Sequence, residues 1–229
     1  MIFARLRLAA RRPTLESACW PAAAASDSVR GVTAREPVKL YFDYKSPFTY
    51  VAMRPAFELG ERYAVDVRWI PFLLRIKGPG QRSIYSDWKA KYSYLDARRA
   101  ANRSGGLRIL GPQKIYDSAP ALIGGLYAGQ HGFFRPYTEA VFERFFRREL
   151  EIDLPEQVAA LVDSLGHPGA GYLRFLADAG ARELDAAIEE AHADHVFGVP
   201  IFVFRGELFW GQDRIPLLEE RLALAGLRT

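Results

Sequence analysis

The chain has 229 residues, 49% of them hydrophobic, which is enough to bury a full-sized core without disulfide or metal staples. Its formal charge of +4 arises in residues 1–36, where six arginines face Glu16, Asp27 and Glu36; the remainder of the 31 basic and 27 acidic residues nearly balance, so the body lacks the basic field of a nucleic-acid binder. No apolar run approaches the ~20 residues that span a bilayer, and the single cysteine, Cys19, excludes an internal disulfide or a CxxC pair, so a soluble protein in a reducing, cytoplasmic setting is expected.

Residues 1–36 are rich in Arg, Ala and Ser and poor in acids, the composition of a targeting segment and also of a disordered extension or an upstream start. The fold is expected to begin at 37. Residues 38–44 alternate and carry β-prone side chains, which predicts a strand. Ser46 then supplies an N-cap and Pro47 a first helical position, opening a helix that stops near Gly60. A second alternating run from Tyr63 to Phe72 predicts a strand parallel to the first, closing a βαβ unit.

Beyond a Gly/Pro-rich loop the periodicity becomes helical. Helices are expected at 88–102, around 121–130, and at 138–150, 155–165, 171–179 and 181–195. Residues 201–204 and 208–210 then read as a hairpin turning at Arg205-Gly206-Glu207, and 215–226 as a closing amphipathic helix. The order βαβ, helical block, ββα is the thioredoxin-like α/β arrangement with an all-helical insertion: residues 37–76 and 196–229 form the thioredoxin-like domain and 77–195 the inserted helical domain.

Four features could carry chemistry. Ser46 caps a helix, and a hydroxyl at that position, beside the positive end of the macrodipole, can also stabilise a bound thiolate. The Val199-Pro200 step reads as an ordinary trans proline entering a strand, or as a cis peptide whose Val199 N–H and C=O could pair with an extended ligand. Gly211, Gln212, Asp213 and Arg214 make a turn and cap whose amide and carboxylate could hold the α-amino and carboxylate groups of an amino-acid-like ligand. Lys89, Tyr92 and Asp96 share one helix face, either a solvated stripe or a cleft wall, with Lys91 and Tyr94 leaving the choice of face open. Scattered histidines and the absence of HExxH, GxGxxG, P-loop and GxSxG patterns disfavour metal, nucleotide and serine-hydrolase chemistry.

Taken together, FDYKSPFTYVA, GVPIFVF and FWGQDRI resemble the 2-hydroxychromene-2-carboxylate isomerase family, which is similar to the kappa-class glutathione transferases and to DsbA-type oxidoreductases. The resemblance spans about residues 38–226. It implies glutathione as cosubstrate, a small aromatic or electrophilic substrate, and often a homodimer. It further implies that Ser46 hydrogen-bonds the glutathione sulfur and Val199, before a cis Pro200, pairs with the cysteinyl backbone. Gln212 and Asp213 would hold the γ-glutamyl end, and Lys89, Tyr92 and Asp96 would line the same cleft. The implied reaction is thiolate addition, ring opening, bond rotation and thiol elimination, with no net redox change. Lys45 departs from the apolar residue frequent before the serine in the isomerases, and Pro71-Phe72 resembles the kappa transferases at least as well. A kappa-type conjugating transferase and a catalytically silent ligand-binding relative without redox activity remain the alternatives.

Overall fold

In a computed structural model, residues 35–75, 84–103 and 105–229 are described. Strand β1, Glu36–Phe42, and strand β2, Val65–Pro71, pair in parallel from Glu36↔Val65 to Phe42↔Pro71, joined by helix α1, Pro47–Arg62. The βαβ expectation holds, with two shifts. Tyr44 lies beyond β1 in a turn, and α1 runs past Gly60, with the Tyr63 N–H bonding the Leu59 carbonyl. Arg35 and Glu36, expected in the N-terminal extension, belong to the fold: Glu36 opens β1, and Arg35 bonds Asp66 and the carbonyls of Gly60 and Val65. The rest of that extension, Cys19 included, lies outside the described residues, as does most of the expected 75–81 loop.

Strand β3, Ile201–Phe204, pairs antiparallel with β1, and β4, Glu207–Trp210, antiparallel with β3, so the sheet order is β2-β1-β3-β4. The hairpin turns on Arg205 (φ 51°) and Gly206 (φ 82°), the two positive φ angles that a two-residue turn of this twist requires. Helix α8, Ile215–Leu224, closes the chain. Because side chains alternate along β1, Val38 and Leu40 face α1 and α8, where Ala52, Leu59, Phe202, Phe209 and Leu218 complete one core.

Between β2 and β3 the described chain is helical: α2 Ile84–Arg103, α3 Ala119–Gln130, α4 Phe134–Phe146, α5 Pro155–Ser164, α6 Gly169–Phe175, a π-turn at Leu176–Gly180, and α7 Ala181–Ala193. Helix α4 starts and ends four residues before the expected 138–150, terminating ahead of Arg148 at φ 64°. The helical core is aromatic. Tyr50 of α1 stacks on Phe142 and Phe146 at 5.4 and 5.2 Å, and Gly124 lets the Tyr137 ring lie against α3, its hydroxyl donating to the Ala121 carbonyl.

Helix α7, grouped with the insertion by periodicity, packs into the helical core through Leu184 and Ile188 and also covers the second face of the sheet, with Ala187 and Ala191 against Tyr41, Ile201 and Val203. Its C-terminal end is tied down by charge. Lys39 Nζ meets Asp194 at 2.6 Å and Glu190 at 2.9 Å, and the Tyr41 hydroxyl donates to Asp194 at 2.5 Å. Burial works against the Asp194 charge, but these two donors outweigh it and lower its pKa. The chain leaving that anchor runs directly into Gly198, Val199 and Pro200.

Candidate functional site

Ser46 follows the end of β1 and caps α1. Its Oγ accepts the Thr49 N–H at 3.2 Å, its carbonyl accepts the Tyr50 N–H, and Pro47 occupies the first helical position, where a missing N–H costs nothing. The residue is 4% exposed, and its hydroxyl donates to the Val199 carbonyl at 3.3 Å, across a separation of 153 residues. Thr49 Oγ1, in the same helical turn, is buried with no hydrogen-bond partner among the described residues.

The Val199-Pro200 peptide is cis. From there the chain enters β3, and the Gly211 N–H returns from the end of β4 to bond the Pro200 carbonyl at 2.9 Å. Gly211 has φ 109°, and a Cβ there would meet Asp213 Oδ1 at 2.5 Å. Gln212–Arg214 form a single 3-10 turn that packs beside α1. Ser46, Val199-Pro200 and the 211–214 turn therefore meet at one end of the sheet. Gln212 is partly exposed and Asp213 exposed, the latter paired with its neighbour Arg214 at 2.7 Å.

A cavity of about 870 Å³ opens beside Lys45, the residue before Ser46. Its inner residue is Lys45, whose side chain is 7% exposed; Nζ donates to the Leu74 carbonyl at 2.8 Å and stands 3.7 Å from Asp43. Asp43 is fully buried, and its two oxygens accept the backbone N–H groups of Lys45 (2.9 Å) and Leu74 (2.8 Å), pinning the end of β1 to the chain leaving β2. The Ser118 hydroxyl lies close enough to favour the charge without meeting hydrogen-bond geometry. Burial pushes the Asp43 carboxyl up, and Lys45 and the two N–H donors offset only part of that rise.

The cavity's outer wall comes from α2, and here the expected stripe is replaced by its neighbour. Lys89 and Tyr92 are exposed, Asp96 is half-exposed and meets Arg99 at 3.9 Å, and none of the three lines the cavity. The residues that do are Ala90, Lys91, Tyr94 and Arg98. The reason is the small-residue face Ala97, Ala100 and Ala101, which packs into the helical core and so sets the helix's rotation. That alanine spacing was the available signal. Tyr94 stands between Arg98 and Asp43, and burial raises its pKa to about 12, so its hydroxyl remains a donor at neutral pH. The sequence reading passed over Asp43 and Arg98, named Lys91 and Tyr94 only as the alternative face, and noted Lys45 only as a departure.

Among the described residues no cluster of His, Cys, Asp and Glu could hold a metal, and no helix is long and apolar enough to cross a membrane. Chemically, the arrangement offers a hydroxyl donor at a helix N-terminus, backbone and turn groups on one side, and a cationic, aromatic cavity on the other.

A family model described as the DSBA-like thioredoxin domain matches residues 37–223. The 2-hydroxychromene-2-carboxylate isomerase of Pseudomonas putida is 31% identical over 195 residues, 81% of this chain and 93% of that protein. A solved structure of a 2-hydroxychromene-2-carboxylate isomerase superposes with a TM-score of 0.68 at 28% identity, covering 82% of this chain and 95% of the other. The cytosolic disulfide reductase DsbM of Pseudomonas aeruginosa shares the fold at 17% identity and a TM-score of 0.60, over 82% of this chain and 99% of its own.

Proposed function

The chain belongs to the 2-hydroxychromene-2-carboxylate isomerase family, within the DsbA-like thioredoxin fold, and is an enzyme; from that premise we propose that it is a glutathione-dependent isomerase of small aromatic compounds, with Ser46 stabilising the glutathione thiolate. The observation that carries this reading is the buried Ser46 hydroxyl at the N-terminus of α1, in contact with the carbonyl of Val199 beside Pro200. Disulfide exchange has no thiol to use there, because residues 37–223 contain no cysteine.

The donor set suits glutathione. Gln212 and Asp213 offer an amide and a carboxylate, matched to the α-amino and carboxylate groups of a γ-glutamyl residue, with Arg214 as the cation that Asp213 must share. The Val199 backbone suits an extended cysteinyl segment. When bound, glutathione supplies a sulfur nucleophile that can add to and leave a conjugated ring carbon. The residues of the chain do the rest. The Ser46 proton turns from the Val199 carbonyl, a long 3.3 Å bond and so a small loss, toward an anionic sulfur. The α1 dipole favours negative charge at the same point. Tyr94, held protonated, can donate to a substrate oxygen.

The test is a glutathione titration followed by melting temperature, alongside conversion of 2-hydroxychromene-2-carboxylate and conjugation of a simple electrophile. Saturable stabilisation with chromene turnover is expected. Stabilisation with conjugation alone would make the protein a kappa-type transferase, and no stabilisation at millimolar ligand would overturn the glutathione reading.

A further inference from the structure

The large cavity has a charge pattern that a thiol site does not need. Of the described residues that line it, Lys45, Lys91, Arg98 and Lys114 are cations and none is a carboxylate. Lys114 is neutralised by Glu151 at 2.5 Å and Asp153 at 3.1 Å. Arg98 is braced through Nε to the Ile109 carbonyl at 2.9 Å, which fixes its guanidinium on the wall.

Lys45 is the unusual one. Burying an ammonium is costly unless a countercharge compensates it. Asp43 is the carboxyl nearest to it, yet burial pushes that carboxyl up, its oxygens are taken by backbone N–H groups, and its 3.7 Å approach to Nζ is too long for a hydrogen bond. The Leu74 carbonyl occupies one of the three ammonium donors. Among the described residues, the Leu74 carbonyl is thus the one hydrogen-bond acceptor within reach of the Lys45 ammonium. Tyr94 and Arg98 line the same cavity as Lys45, and Tyr94 sits close enough to feel both Arg98 and Asp43. Tyr116 and Phe145, edge to face at 5.2 Å, supply an apolar surface in the same lining.

We propose that Lys45 is a specificity-determining residue: with Arg98 it holds the carboxylate of a small aromatic acid whose ring lies against Tyr116 and Phe145. The carboxylate then lies one residue from Ser46, which orients a conjugated acid toward the thiol site. Its catalytic consequence rests on the isomerase reading, but binding of the acid does not.

The experiment therefore omits glutathione. Cinnamate and the uncharged cinnamyl alcohol are titrated by calorimetry into the full chain and into Lys45→Met and Arg98→Gln. The parent should prefer cinnamate. Lys45→Met should weaken cinnamate by about 10- to 100-fold, the range of a lost hydrogen bond to a charged group, and Arg98→Gln by about 10-fold, while the alcohol changes by less than about 2-fold in both. Equal affinity of the two probes in the parent, no binding of either, or unchanged cinnamate binding in the variants would overturn the proposal. If Lys45→Met fails to fold, the parent's selectivity and the partly exposed Arg98 decide it. A failed glutathione titration leaves these outcomes untouched, so the two readings fall separately.

Discussion

On the sheet side of Ser46 the wall is mainly main chain, the Val199 carbonyl, Pro200 and the 211–214 turn, with the Gln212 and Asp213 side chains at its edge, all held by the β3–β4 ladder and by the Gly211–Pro200 hydrogen bond. On the helical side it is made of side chains, Lys45, Lys91, Tyr94 and Arg98, projecting from the turn before α1 and from α2. The difference decides what each wall can recognise. Backbone groups present the same donors and acceptors whatever the sequence around them, which suits a constant peptide-like cosubstrate. Projecting side chains are replaceable one at a time, which suits the variable partner. Ser46 borders the first wall, and the second begins at the residue before it.

Removing Ser46 should break the comparison most. Ser46→Ala is expected to lower turnover by ~10- to 1000-fold, as for loss of one preorganised donor, and to destabilise the chain by about 1 kcal/mol through the lost N-cap. Steady-state rates and denaturant melts measure the two effects separately. Parental turnover in this variant would remove Ser46 from the chemistry.

Gly211→Ala probes the sheet-side wall alone. A side chain there meets both the positive φ and the Asp213 carboxylate, so a cost of about 1–2 kcal/mol in stability is expected, with glutathione affinity reduced by up to about tenfold. Cinnamate binding should be retained, since the turn does not line the cavity. Calorimetry with both ligands tests whether the walls are energetically separate.

The smallest effect sharpens the assignment of the α2 face. Lys89→Ala combined with Tyr92→Ala should leave stability within about 0.5 kcal/mol of the parent and both ligand affinities unchanged within about twofold. A loss of glutathione or cinnamate binding would return this stripe to the cleft.

Most of the sheet-side wall was legible because its signals are local. Ser46-Pro47, Val199-Pro200 and the Gly at 211 mark turns and caps through their own backbone constraints, and short motifs record such constraints directly. The parallel pairing of β1 with β2 and the β3–β4 hairpin were legible too, since alternation, the helical crossover and the Gly206 turn admit few pairings. The helical-side wall was not, because a helix face is chosen by what packs beneath it. Lys89-Tyr92-Asp96 and Lys91-Tyr94-Arg98 have the same spacing, and only the burial of Ala97, Ala100 and Ala101 separates them. Helix α7 shows the same limit: its amphipathic period states that it covers an apolar surface, and it covers two, the helical core through Leu184 and Ile188 and the sheet face of Tyr41, Ile201 and Val203 through Ala187 and Ala191. Asp43 read as part of a strand, because nothing local announces that a carboxylate will be buried on backbone donors.

The most direct measurement is the titration of the glutathione thiol bound to the protein, followed by thiolate absorbance across pH in the parent and in Ser46→Ala. The account predicts a bound thiol pKa below its ordinary ~8.5 in the parent, moving back toward that value when the hydroxyl is removed. A bound thiol that ionises at its ordinary value in the parent, or at the same lowered value in both proteins, would contradict the role given to Ser46.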